Sequence, residues 1–202
     1  MVQFLANKTA QYLAKGDDPA DIEVITYGYY MFYQQWLVII AILLIALPLG
    51  WFFPVLASLV TSMALRGCVC GTHATHPLIC KITSVVLAFT PAVLTEVFAI
   101  RLVPVAALAM YLVSIALVVR YAPGETDVRK FRDSRKRKRM KIESVVLVTV
   151  FFFAAVFLSS RFPGVAFVVT TTAFITCCFV HPWAYRLFGF DPVTKEALKP
   201  RW

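Results

Sequence analysis

Six long apolar runs, at roughly 28–48, 51–65, 82–100, 103–119, 143–160 and 164–181, leave this chain few folds to choose from. In hydrocarbon every backbone N–H and C=O must find its partner within the protein, so spanning segments are helices or strands of closed barrels. A crossing helix needs about 20 apolar residues for a ~30 Å hydrocarbon core. Five of the runs approach that length; 51–65 is short, and is expected to continue past Arg66 or to cross with little tilt. Pro48 and Gly50 mark the turn between the first two runs, and Pro163 with Gly164 the turn before the last. The sequence thus predicts an all-α, polytopic membrane protein of about six transmembrane helices, one integral membrane domain over 1–202. Composition agrees, because only 15% of residues are charged and 60% are hydrophobic, where a soluble domain carries about 25% charged residues. Soluble enzymes, secreted disulfide scaffolds and disordered tails are excluded.

The start of the chain has a different pattern. No uninterrupted apolar core follows a basic start, so the first residues do not read as a signal peptide. At 100° per residue, Val2, Leu5, Ala6, Thr9, Tyr12 and Leu13 fall on one third of a helix, and Phe4 is the apolar exception outside it. Residues 1–26 are expected to be an amphipathic surface segment at the membrane interface.

Charge sets the topology. Nine basic residues lie between Arg129 and Lys141, and the segment 120–142 is expected to be a basic loop. With the N-terminus cytoplasmic, eighteen Lys and Arg fall on one side and only Arg101 and Arg161 on the other. That is a strong positive-inside bias. It predicts a multi-pass protein of the cell membrane with both termini and the loops 66–81 and 120–142 in the cytoplasm. Contact with anionic lipid headgroups is the first role of such a block. No nucleic-acid-binding motif accompanies it, so nucleic acid is not an expected partner.

One polar segment carries chemistry. Residues 66–81 hold two of the three histidines and three of the five cysteines: Cys68, Cys70, His73, His76 and Cys80. A thiol beside an imidazole is the minimum for nucleophilic attack on a carbonyl. His73 and Cys80 are seven residues apart, which on a straight helix means about 10 Å of rise, too far for a hydrogen bond. Pro77 disfavours helix at His76, so a bent loop or broken helix is expected, able to fold His73 back onto Cys80. His76 is the alternative base. The same five side chains would also suit zinc, although their spacing fits no common zinc module, and packing alone is a third reading.

This segment resembles the active region of the accessory gene regulator protein B (AgrB) family, bacterial membrane cysteine endopeptidases that process quorum-sensing peptide precursors. The family's arginine, glycine-rich stretch, Gly-x-His-Ala and following cysteine fall on Arg66, Gly67, Gly71, His73, Ala74 and Cys80. The likeness continues in Asp21-Ile22-Glu23 with Tyr27-Gly28, and in Tyr121-Ala122-Pro123 at the opening of the basic loop. Cys70 stands where a second glycine is usual, and Cys68 and His76 lie outside the pattern. The resemblance implies Cys80 as nucleophile and His73 as its general base, supported by Arg66 and Gly71. It also implies a substrate like the AgrD precursor, with an acidic C-terminal tail docked by Arg135, Lys136, Arg137 and Lys138. Cleavage would proceed through a thioester acyl-enzyme to a thiolactone or lactone, in a homodimer, with no metal and no cofactor. A peptide permease that cuts nothing is the rival from another class.

Glu96 is expected to snorkel or to pair with Arg101 near the outer interface. Cys177 and Cys178 read as packing residues, and His181-Pro182-Trp183 as the inner interface.

Overall fold

A computed structural model describes residues 2–13, 19–69, 77–99, 101, 103–124 and 133–187. Its helices are α1 (Val2–Leu13), α2 (Pro19–Ala46), α3 (Phe52–Val69), α4 (Pro77–Glu96), α5 (Pro104–Tyr121), α6 (Ser134–Ser159), α7 (Pro163–Cys178) and α8 (Pro182–Leu187). No strand occurs among the described residues. Helices α2 to α6 are each long and apolar enough to cross a membrane, and α7 is apolar but shorter. The protein is an all-α, polytopic membrane protein.

Five of these helices open on a proline, Pro19, Pro77, Pro104, Pro163 and Pro182. The first helical position needs no N–H donor and already wants the φ that the ring imposes, so proline starts helices there without cost. The run 51–65 does continue past Arg66, reaching Val69 as one helix. The short span is instead α7, whose 16 residues reach only about 24 Å. Helix also enters the segment that reads as basic loop: Asp133 caps α6, its carboxylate accepting from Arg135 N at 2.8 Å, and Arg135–Lys141 ride on the first turns. Lys and Arg are good helix formers, and the capping carboxylate offsets their poor match to the positive end of the helix dipole.

The chain forms two compact units, residues 1–48 and 49–202. In the first, α1 lies on α2 through Ala6 and Ala10, both fully buried, with Thr9 Oγ1 2.9 Å from Tyr33 Oη. Small side chains permit this close approach. The apolar stripe expected on α1 is therefore divided. Ala6 and Thr9 face α2, whereas Leu5, Tyr12, Leu13 and the outlying Phe4 stay exposed.

In the second unit α7 packs against α3, α4, α5 and α6, and every residue of Ala166–Ala173 is buried. A helix surrounded by helices gains from small and hydroxylated side chains, and Thr170, Thr171 and Thr172 supply them. One contact ties three helices together. Pro91 inside α4 has no N–H, so the carbonyl of Leu87, four residues back, lacks its helical donor. Ser58 Oγ of α3 donates to that carbonyl at 3.1 Å and lies 3.0 Å from Thr172 Oγ1 of α7. Ser58 has one proton and gives it to Leu87, so the Thr172 hydroxyl donates to Ser58. Where α4 ends, Arg101 Nη1 caps the carbonyl of Thr95 at 2.8 Å. Gly164 of α7 passes so close that a Cβ there would meet Thr95 Cγ2 at 2.7 Å, with Arg101 Nη1 and Glu96 Oε1 just beyond at 3.7 and 3.9 Å.

Two stability effects follow in detergent unfolding. Ser58→Ala orphans the Leu87 carbonyl and is expected to cost about 1–2 kcal/mol, and Thr172→Val, which leaves Ser58 on Leu87, less. Equal losses would contradict the donor order. Gly164→Ala should destabilise by roughly 1–3 kcal/mol through overpacking. Thr95→Ser, which removes the opposing methyl, should restore most of it; additivity of the two would show that this contact is not the cause.

Candidate active site

The last turn of α3 is where the chemically equipped residues meet. Two residues advance a helix by 200°, so Arg66 and Cys68 project from opposite flanks. On one flank, the Arg66 guanidinium lies over the Phe179 ring, 5.5 Å from its centroid, and within electrostatic reach of Cys80. On the other, Cys68 Sγ donates to Glu143 Oε2 of α6 at 3.9 Å, while Glu143 Oε1 accepts from Arg139 Nε at 2.7 Å. At the end of the turn, the carbonyl of Val69 accepts from Gly124 N at 2.9 Å. This satisfies a helix-terminal acceptor and fastens Tyr121-Ala122-Pro123 to α3.

Cys80 occupies the first turn of α4, half-buried, with its own carbonyl accepting from Ser84 Oγ at 2.9 Å. That end of a helix favours negative charge, and Arg66 adds a full cation. Of the other described cysteines, Cys68 has its proton committed to Glu143, Cys177 is fully buried in the core with Leu65, Val69 and Val118, and Cys178 is half-buried at the last residue of α7, the end of a helix that disfavours negative charge. Cys80 is thus the thiol whose surroundings suit a nucleophile. Gly71, His73, Cys70 and His76 lie outside the described residues, as does 125–132 of the basic segment. Arg135, Lys136 and Lys138 are exposed on α6 and Arg137 is half-buried. They connect to the end of α3 along their own helix, through Arg139 and Glu143 to Cys68.

Two contributors escaped the sequence reading. Glu143 was visible as the partner of Arg139 four residues earlier on one helix, but its contact with Cys68 joins residues 75 apart. Phe179 was one aromatic among many near an interface. Tyr121 stacks edge-on against His181, ring centroids 5.3 Å apart, and His181 Nδ1 accepts from Trp183 N at 3.2 Å, so this histidine caps α8 at the same end of the bundle.

Residues 6–182 match the family described as Accessory gene regulator B. The chain belongs to that family. AgrB-like protein 2 of Clostridium perfringens strain 13 / Type A is 26% identical over 139 residues, covering 66% of this chain and 65% of its own length. A second AgrB-like protein, from strain SM101 / Type A of the same species, is 23% identical over 136 residues, covering 65% and 64%. The chain spans just under two thirds of the length of these curated relatives. No solved structure matches it. AgrB-family membership and the apolar helices together make this a multi-pass membrane protein associated with the agr quorum-sensing system.

Glu143→Ala is expected to release the Cys68 proton and raise the alkylation rate of Cys68 roughly three- to tenfold, read by peptide-resolved mass spectrometry. An unchanged rate would mean that Glu143 does not hold the thiol.

Proposed function

We propose that this AgrB-family protein is a membrane-embedded cysteine endopeptidase that trims and cyclises a signalling-peptide precursor. The observation that carries the reading is Cys80 in the first turn of α4, with the Arg66 cation within electrostatic reach, in a member of this family. The precursor is an AgrD-like peptide with an amphipathic leader, a short signal segment and an acidic C-terminal tail. Its tail docks on the cationic face formed by Arg135, Lys136, Arg137 and Lys138, and the rest on the membrane surface. Eighteen of twenty basic residues fall on the side of Cys80 in this threading, so that side and both termini are cytoplasmic. The catalytic unit is a homodimer, and no cofactor takes part.

The chemistry divides between two residues. His73 takes the proton of Cys80, and the thiolate attacks the carbonyl that joins signal to tail. His73 returns the proton to the leaving nitrogen, the C–N bond breaks, and the tail departs with a new amino terminus. The signal segment remains as a thioester on Cys80. A cysteine thiol or serine hydroxyl within the peptide then attacks that thioester, its proton passing by way of His73 to the departing Cys80 sulfur. The ring that closes is a thiolactone or a lactone. Exchange of one thioester for another is nearly isoenergetic, so the acyl-enzyme must be shielded from water until the ring closes. A half-buried thiol at the start of an apolar span serves that need.

The test is co-expression with the candidate precursor and mass analysis of the products. Wild type should release a signal segment one water lighter than its hydrolytic mass, and Cys80→Ala and His73→Ala should give neither this product nor the free tail. Uncut precursor beside folded wild type would overturn the assignment for that pair and favour a permease. Loss of activity to chelators with Cys80→Ala still active would favour a metal site. Reversing all four charges from Arg135 to Lys138 should raise KM more than tenfold, at about 1 kcal/mol per charge near an anionic partner, with kcat little changed. A kcat effect alone would argue against docking.

A further inference from the structure

We propose that Phe179, in the turn that follows α7, is a positioning residue for Cys80: its ring face holds the Arg66 guanidinium at the end of α3, within electrostatic reach of the thiol. The proposal rests on the reading of Cys80 as the nucleophile.

An arginine near the end of a spanning helix has other places to go. Its long apolar stem and weakly hydrated head let it snorkel toward headgroups and water. The side chain carries about 2 kcal/mol of rotamer entropy that favours such wandering. Something must therefore keep Arg66 at Cys80. Glu143, the carboxylate that touches the last turn of α3, is on the wrong flank and already engages Arg139 and Cys68. The Phe179 ring is on the right flank. Its centroid lies 5.5 Å from Arg66 Cζ, inside the ~6 Å over which a ring quadrupole attracts a cation. An aromatic face suits this role where a carboxylate would not. It attracts the guanidinium without neutralising it, so the full positive charge remains for the sulfur or for the oxyanion formed on attack.

The surrounding architecture fixes the ring in turn. Backbone bonds Phe179 N to Thr176 O at 3.3 Å and Val180 N to Cys177 O at 3.2 Å close the end of α7. Cys177 and Val180 on either side of Phe179 are in the same buried cluster as Leu65 and Val69, which flank Arg66 on α3. Ring and guanidinium are thus delivered by two helices packed through that cluster. Among the described residues, Lys81 follows the thiol in sequence.

The experiment reads local charge at Cys80 directly. Full-length protein in detergent, without precursor, is alkylated in parallel with anionic iodoacetate and neutral iodoacetamide, and each cysteine is quantified by peptide-resolved mass spectrometry. The rate ratio of the two reagents at Cys80 reports the cation held there. Phe179→Leu is expected to lower the ratio roughly two- to fivefold, Phe179→Tyr to preserve it, and Arg66→Gln to lower it at least as far as Phe179→Leu. Adding Phe179→Leu to Arg66→Gln should change nothing further. Turnover of precursor should show the same loss in kcat with KM unchanged. Cys177 serves as the internal measure of folding, since it is unreactive while the core is closed. If Phe179→Leu exposes it, a ring-fluorinated phenylalanine at 179 decides, because fluorination drains the ring face while keeping its shape. A wild-type ratio in the fluorinated protein, or a loss that persists in the Arg66→Gln background, overturns the proposal. If Cys80→Ala still cyclises the precursor, the proposal falls together with the peptidase reading. If Cys80→Ala is inactive and the ratio does not respond, the proposal alone falls.

Discussion

The absence of water as a hydrogen-bond partner governs this molecule. A backbone carbonyl left without a donor in hydrocarbon costs several kcal/mol, and Pro91 leaves one at Leu87. The chain answers from two other helices, Thr172 donating to Ser58 and Ser58 to Leu87. The proline defect in α4 thereby becomes the joint that fixes α3, α4 and α7 against one another. Much else follows from that joint. With α7 held centrally, Thr170 and Thr176 bond back to their own helix, to Ala166 and Thr172. With α3 held against α7, Arg66 reaches Phe179. With α4 held against α3, Cys80 comes within reach of Arg66.

The same two helices make a second, purely steric contact at the far end. Gly164 gives way to Thr95, so α4 and α7 approach closely there too, under a guanidinium cap from Arg101. Glu96 and Arg101 both lie near this glycine, and the acid stays exposed. Cation and glycine thus bind these ends of α4 and α7, and the apolar cluster with Leu65, Val69, Cys177 and Val180 joins α3 and α7 at the other end.

Much of this was legible in the sequence. Apolar runs and prolines place the helices to within a few residues because both act locally, through burial length and the missing N–H. Hydroxyl geometry is not local. Nothing within reach of Pro91 in sequence announces that Ser58, 33 residues earlier, supplies the donor. The length of α7 was overestimated because Phe179, Val180 and His181 continue the apolar run as a turn. The basic segment read as loop because cations at a helix start oppose its dipole, and the remedy, a single capping Asp133, is a small signal. At the site, Arg66 and Cys80 were legible from the pattern of residues they share with the AgrB family. Phe179 and Glu143 were not, since their roles exist only once distant helices meet.

The parity of the spans explains why these residues can share a site. Helices α3, α5 and α7 end at one face of the bundle, and α4 and α6 begin there. Phe179 after α7, Gly124 after α5 and Glu143 of α6 all meet the last turn of α3 at this face. The charge that sets orientation lies at the same face, because Arg120, Arg135 and Lys141 sit on helices that cross it. A chain threaded in this way has no freedom to keep its thiol and its cations on opposite sides. The proposed peptidase reading builds on this threading, with the cations of α6 and the thiol of α4 at one face of the bundle.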